Sequence, residues 1–265
     1  MRTETIYTYG GTSDCGYGRE VNEDFFDFVV LAEDVLFAAV ADGAGSRQNG
    51  LGIQPAVVAI SEITETIRRL YAFDPDMFLA HPTEMLLEAL HVANRVIGAF
   101  KVANDPLYSG FGVCLSCCLV YHNSSFCFVH CGNTRIHILR LQADGGPRII
   151  QLTQDHTKAA ELLQEEIIKG EEYYAHPARY IFTSGIGIAA APEIQSYAGK
   201  LKKGDLLLLT TDGIHYAIRP EAIGDIVLRA GNWSAATQGL ADAAKMLKME
   251  DNATAALIFI HSDDG

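Results

Sequence analysis

Three acidic side chains stand at the ends of apolar runs in this chain. Asp42 closes VLFAAVADG, Asp212 closes LLLLTTDG, and Asp251 sits just before ATAALIFIH. Glu23 and Asp24 lie upstream in REVNED. Gly43 and Gly213 follow two of these acids, allowing tight turns and a close approach of backbone to a ligand. Taken singly, an Asp-Gly pair is a turn signal. Taken together, the acids describe a different object. Carboxylates cannot converge without protons or cations to neutralise them. Oxygen-only ligands of this kind suit Mg²⁺ or Mn²⁺, which keep several waters in their shells. Arg19 stands five residues before Asp24, and its planar fork matches two phosphate oxygens. A plain ion pair with Glu20 or Glu23 is the competing reading of that arginine.

The elements that must position these residues are legible in outline. DFFDFVV, AED and VLFAAVADG read as strand, turn and strand. PAVVAISEITETIRRLYAF and TEMLLEALHVANRVIGAF carry apolar stripes at helical spacing. VCLSCCLVY, FCFVHCG, RIHILRLQ and RIIQL read as further strands separated by polar turns. TKAAELLQEEIIKG reads as a helix stopped by Gly170, and EEYYAHPARYIFTSGIGIAAAPE as a long excursion. LKKGDLLLLTTDG is a turn feeding a buried strand; PEAIGDIVLRAG and SAATQGLADAAKMLKM are helices before the last strand. Helices do not alternate singly with strands, which argues for α+β layers over a doubly wound parallel sheet. Two antiparallel sheets with helices outside fit the order. No repeat or Pro/Gly/Ser-rich linker divides residues 1–265, so one domain is expected.

Composition narrows the field further. Twenty Lys and Arg against 33 Asp and Glu give a formal charge of −13, a field that repels nucleic acid and anionic lipid. An acidic protein that handles phosphate needs local positive charge, and bound cations are its simplest source. The mean hydropathy is +0.11, and no apolar run approaches the roughly 20 residues that span a bilayer. MRTETIYTYGGTSD has neither the basic start nor the apolar stretch of a signal peptide, so a cytoplasmic protein is expected. Five of the six cysteines cluster between positions 114 and 131. On strands, Cys114 and Cys117 face opposite ways, as do Cys117 and Cys118. Cys127 and Cys131 share a face about 13 Å apart at roughly 3.3 Å per residue. Buried free thiols are expected, not a zinc site.

In order along the chain, DCGYGREVNEDFF, FAAVADGAG, CGNTRIHIL, LTQDHT, HPARYIFTSGIG, GDLLLLTTDGI and DNATAALIFI resemble the signature blocks of the PPM-type, or type 2C, metal-dependent serine/threonine protein phosphatases. The resemblance implies a β-sandwich of two antiparallel sheets flanked by pairs of helices, a four-layer αββα arrangement. It implies two Mn²⁺ or Mg²⁺ ions, with Asp42 bridging both and the Gly43 carbonyl on the second. Asp212 and Asp251 match ligands of the first ion. Glu23 matches an acid that holds the second largely through water, and Asp24 one that orients those waters. Arg19 matches the phosphate-binding arginine. A water shared by two cations loses its proton near neutral pH and attacks phosphorus in line with the Ser or Thr oxygen. The implied partners are phosphorylated proteins, the products of a Ser/Thr kinase.

The chain departs from the family pattern at two positions that usually carry acids. Asn133 stands in Gly132-Asn133-Thr134-Arg135 where Gly-Asp-Ser-Arg is usual, and Tyr216 stands four residues after Asp212. In many bacterial members those acids help to hold a third, weaker cation, so this chain is expected to lack it or hold it weakly. Ala44 occupies a position where some members place a His, while His156 and His176 read first as structural turns. The stretch from Glu171 to Gly187 resembles the family's flap. Two other readings stay open: a pseudophosphatase that binds phosphoproteins with weak or no turnover, favoured by Asn133 and Tyr216, and hydrolysis of some other phosphoester.

Overall fold

Strict alternation along the strands decides how the layers stack. In the strand Val35–Ala44 (β3), Phe37, Ala39 and Ala41 enter one apolar cluster while Leu36, Ala38 and Val40 enter another. A strand that is apolar on both faces must be covered on both. The computed structural model describes residues 7–45, 54–103, 110–142 and 146–261. In it, β3 pairs on one side with Asp24–Ala32 (β2) and on the other with Gly112–Tyr121 (β4). Ser125–Cys131 (β5) and Gln195–Lys200 (β8) complete that sheet in the order β2-β3-β4-β5-β8. The second sheet runs β1-β10-β9-β6-β7, from Tyr7–Asp14 (β1), Arg135–Leu141 (β6), Pro147–Gln151 (β7), Leu206–Thr210 (β9) and Ala253–Ile260 (β10). Every pairing in both sheets is antiparallel.

The helices Pro55–Phe73 (α1) and Pro82–Ala103 (α3), joined through the short Pro75–Ala80 (α2), cover the outer face of the first sheet. Ile60, Ile63 and Ile67 of α1 and Leu86, Leu90 and Ile97 of α3 are the buried stripes that do so. Pro220–Arg229 (α7) and Trp233–Met246 (α8) cover the second sheet with Ile223, Val227, Leu240 and Ala244. The inter-sheet core is built from Leu36, Val40, Phe126, Phe128, Leu207 and Ile258, among others. This is the α+β sandwich of two antiparallel sheets flanked by helices. All six cysteines are free thiols, and Cys117 and Cys118 enter opposite clusters as their alternation requires.

Two strands escape the sequence pattern, and one helix is shorter than its apolar spacing suggests. β1, YTYGGTSD, has two glycines where propensity argues against a strand. Tertiary crowding explains them: a Cβ on Gly10 would stand 2.8 Å from Ser234 N of α8, and one on Gly11 2.3 Å from the Phe26 ring. β8 is an exposed edge strand, paired only with β5. The helix Lys158–Gln164 (α4) stops before Gly170, because Glu166 turns left-handed at φ 58° and sends the chain aside. Gly170 opens the next helix, Gly170–Ala175 (α5), where Glu172 accepts from Lys169 N at 2.7 Å. The excursion read from Glu171 onward therefore contains α5 and a 3₁₀ turn at Pro177–Tyr180. The opening MRTETI lies outside the described residues. Among those residues, no helix is long and apolar enough to cross a membrane.

Candidate dimetal site

The same alternation that fills the sandwich carries the acids into one end of it. Asp42 continues the series Leu36, Ala38, Val40, and Asp24 continues Phe26 and Phe28, so both point between the sheets. They are also direct cross-strand partners. β9 ends and β10 begins at this same end, since Thr210 lies opposite Ala255. Asp212 therefore enters at the first residue of the one-turn helix Asp212–His215 (α6), and Asp251 just ahead of β10. Asp24 and Asp251 lie 227 residues apart in the chain with Asp42 and Asp212 between them, yet each of the first three acids feels the charge of other members.

The loop before β2 is stapled to this end by Asn252. Its Nδ2 donates to Cys15 O and Val21 O, each at 2.9 Å, and its Oδ1 accepts from Glu23 N at 2.9 Å. Glu23 O in turn accepts from Gly43 N at 3.1 Å. The Gly43 backbone is thereby held beside Glu23, two positions that the family resemblance leads one to expect at one ion. Gly213 is required by close approach: a Cβ there would lie 2.0 Å from Asn252 O. Thr211 Oγ1 donates to Asp24 Oδ2 at 2.7 Å. Arg19 is bound to neither Glu20 nor Glu23; its Nη2 donates to Asp251 Oδ1 and its Nε to Glu250 O, both at 2.7 Å.

The electrostatics are those of acids gathered at one end of the sandwich. Burial pushes Asp212 up to about 8, with the charges of Asp251 and Asp24 adding and the Asn133 hydrogen bond opposing. Burial likewise pushes Asp24 up to about 7, against bonds from Thr211 and Thr254 and with help from Asp251 and Glu23. Asp42 is held well above the carboxylate range by burial, then by Asp212, Asp24, Asp251 and Glu23. Among the described residues, no trio of His, Cys, Asp or Glu forms a ready-made metal cage. Arg19 holds one oxygen of Asp251. The donor set nevertheless fits hard cations: Asp212 Oδ1 is buried with no hydrogen-bond partner, an acceptor that a cation would satisfy.

Tyr216 and Asn133 stand where the sequence departs from the family pattern, and both are held by other side chains. Asn133 Nδ2 donates to Asp212 Oδ2 at 3.0 Å. The Tyr216 hydroxyl lies 3.3 Å from that of Tyr173 and 3.4 Å from Asp155 Oδ2. Asp155 is clasped by Arg135 through Nε and Nη2 at 2.9 and 2.8 Å, and by the Tyr173 hydroxyl. His156 Nδ1 accepts from Gly132 N, and His176 Nδ1 from Ala178 N, both at 3.2 Å, as structural turns do. Asn252, Thr211 and Asp155 are the residues that sequence reasoning left out. The only signal for the first two is their position directly beside Asp251 and Asp212.

Comparison with known proteins points to one family. A family model described as Protein phosphatase 2C matches residues 13–257. The chain is 28% identical over 255 residues to protein phosphatase PhpP of Streptococcus pneumoniae, covering 95% of this chain and 97% of that one. The crystal structure of the PPM Ser-Thr phosphatase MsPP from Mycobacterium smegmatis, in complex with cacodylate, matches with a TM-score of 0.77 at 25% identity, over 96% of this chain and 98% of that one. The catalytic domain of the serine/threonine protein phosphatase PstP, solved in complex with two manganese ions, shares the fold with a TM-score of 0.75 at 23% identity, over 97% and 99% of the two chains.

Proposed function

Because the chain belongs to the protein phosphatase 2C family, and is a phosphoprotein phosphatase on that footing, we propose that it hydrolyses phosphoserine and phosphothreonine with two divalent cations held by the acids at the sandwich end. The observation that carries this reading is the meeting of Asp24, Asp42, Asp212 and Asp251 between the sheets, with Asp212 Oδ1 left as an unpartnered acceptor. The reading takes the whole chain as one catalytic domain.

Asp42 would contact both ions, the Gly43 carbonyl and Glu23 the second, and Asp212 and Asp251 the first. A pair of such cations supplies Lewis acidity and lowers the pKa of a water between them. Mn²⁺ is the better supported choice, since PstP was solved with it. Asp24, anchored by Thr211, orients water as an acceptor. Arg19 sets a guanidinium at the rim, where a cavity of about 450 Å³ bounded by Tyr17, Gly18, Arg19 and Glu250 leaves space outside it. The Nη1–Nη2 edge left beyond its bonds to Glu250 O and Asp251 would hold phosphoryl oxygens while charge builds on them.

No cysteine takes part. Cys114 lies beside Asp42 in the register, but burial pushes its thiol well above the range in which a thiolate forms. Substrates are phosphoproteins made by a Ser/Thr kinase, which places the enzyme in signalling, and its six free thiols suit the reducing cytoplasm. The test is hydrolysis of a phosphothreonine peptide with Mn²⁺. Activity should survive thiol-blocking reagents and fall roughly 100-fold or more in Asp42→Ala and Asp212→Ala. Full activity in both variants would refute the site.

A further inference from the structure

A second cavity of about 260 Å³ has Asp42 in its wall and no other member of the acid cluster. Its described lining is apolar apart from Asp42 and Lys101: Phe111, Val113, Phe182 and Ile188 form its walls. A cavity of about 150 Å³ lined by aliphatic and aromatic side chains already accepts a benzene ring. This one has room for a single leucine, methionine or phenylalanine side chain.

The pocket is built, not incidental. Its outer wall is the segment 182–190, and three separate contacts pin that segment to the sheet and to α3. Val113 and Ile186 exchange both backbone hydrogen bonds, at 3.0 and 2.9 Å. Lys101 Nζ donates to Gly187 O at 2.7 Å. Asn94 accepts from Gly187 N at 2.7 Å and donates to Ala190 O at 3.1 Å. Gly187 sits at φ +73°, and a Cβ there would meet Ile97 at 2.3 Å, so the wall lies directly on the α3 helix.

Ile188 of the lining is itself 41% exposed, so the pocket opens to solvent.

We propose that this pocket receives an apolar side chain of the phosphoprotein substrate, one within two residues of the phosphorylated Ser or Thr. The proposal rests on the dimetal reading of the neighbouring site. Its occupant follows from continuity: Asp42 belongs to both the acid cluster and the pocket wall, so a phosphoryl group at the acids places its neighbours at the pocket mouth. An extended chain advances about 3.3 Å per residue, which confines the choice to the nearest positions. The lining selects by chemistry. An acidic flanking side chain would be buried against Asp42 and apolar walls, with the Lys101 ammonium already engaged by Gly187 O, while leucine exchanges water for Phe182 and Ile188.

The experiment scans one leucine through the two positions on each side of phosphothreonine, in peptides otherwise made of Gly and Ser, with Mn²⁺ present. At one position leucine should raise kcat/KM about tenfold over serine, and aspartate there should lower it. Ile188→Asp and, separately, Phe182→Ser should bring the leucine-to-serine ratio close to one. A wild-type ratio within twofold of one at all four positions would overturn the proposal, as would an undiminished ratio in both variants. Equal hydrolysis of the peptides together with a dimer broken by Ile188→Asp would assign the face to a second copy of the chain, and also overturn it. No turnover of any peptide by the wild-type protein would remove the dimetal reading itself, and the pocket's role with it.

Discussion

Asn133 donates its side-chain amide to Asp212 Oδ2 at 3.0 Å, inside the sandwich and away from solvent. A carboxylate at position 133 would repel Asp212 unless a further cation lay between them. The second departure reinforces the first. The Tyr216 ring lies with the Arg179 guanidinium 4.6 Å from its centroid and that of Arg135 at 5.5 Å, so positive charge is already present beside it. Two ions are therefore expected to bind the native chain, without a third. Restoring both acids, Asn133→Asp with Tyr216→Asp, also removes the face on which Arg179 stacks. Calorimetric titration with Mn²⁺ should then show an additional weak site and an altered metal dependence of turnover. Superimposable titrations of the native and double-variant proteins would show that the two positions do not govern ion number.

The raised acids make the cation-free protein sensitive to alkali. Asp24 and Asp212 titrate near 7 and 8 in the folded chain, and Asp42 is also well above the usual range. The folded state thus holds protons that the unfolded chain releases near pH 4, and stability falls as pH rises through these values. His130 and His137, pushed down by burial to about 4 and about 3, act in the opposite direction up to and around the ordinary histidine pKa near 6.5, as do His156 and His215, also lowered by burial. Between pH 6.5 and 8 that opposing effect fades and the acids come to dominate. With chelator present, Tm should drop by several degrees across that window, and Mn²⁺ should protect more at pH 8 than at 6.5. A flat chelated profile would mean the carboxylates do not share a site.

What the sequence revealed follows from which interactions are local. Asp42, Asp212 and Asp251 could be found because each ends an apolar run, and a strand end is a local pattern. The partner of Arg19 could not. Glu20 and Glu23 are its sequence neighbours, yet it reaches Asp251, 232 residues away. β1 was hidden for the same reason: its glycines suit α8 and Phe26, which only the folded chain brings near. The cluster of Arg135, Asp155, Tyr173 and Tyr216 draws on four separate segments and has no sequence signature at all. The pair Arg135–Asp155 within it is almost wholly buried, at 4% and 3% exposure. Its local cue was the block LTQDHT, where Asp155 stands beside the histidine that attracted notice instead.

Asn252 should matter as much to metal binding as to stability. It accepts from Glu23 N and donates to Cys15 O and Val21 O, so a single side chain closes the loop that carries Arg19 and Glu23 onto β10. Removing it strands a buried Glu23 amide and two carbonyls, at about 1–3 kcal/mol for an unsatisfied buried group. The loop would also gain freedom where, on the proposed reading, Glu23 and the Gly43 backbone serve one ion, and groups that orient metal ligands typically alter affinity by about 10- to 100-fold. Asn252→Ala is therefore expected to lower urea stability by a few kcal/mol and Mn²⁺ affinity by at least about tenfold, measured by unfolding and by calorimetry on the same preparation. Asn252→Asp tests the division of labour: its oxygen can still accept from Glu23 N, but it cannot donate to Cys15 or Val21. Its affinity for Mn²⁺ should lie above that of the alanine variant. An alanine variant that is destabilised yet binds Mn²⁺ as tightly as the native chain would show the staple to be structural only.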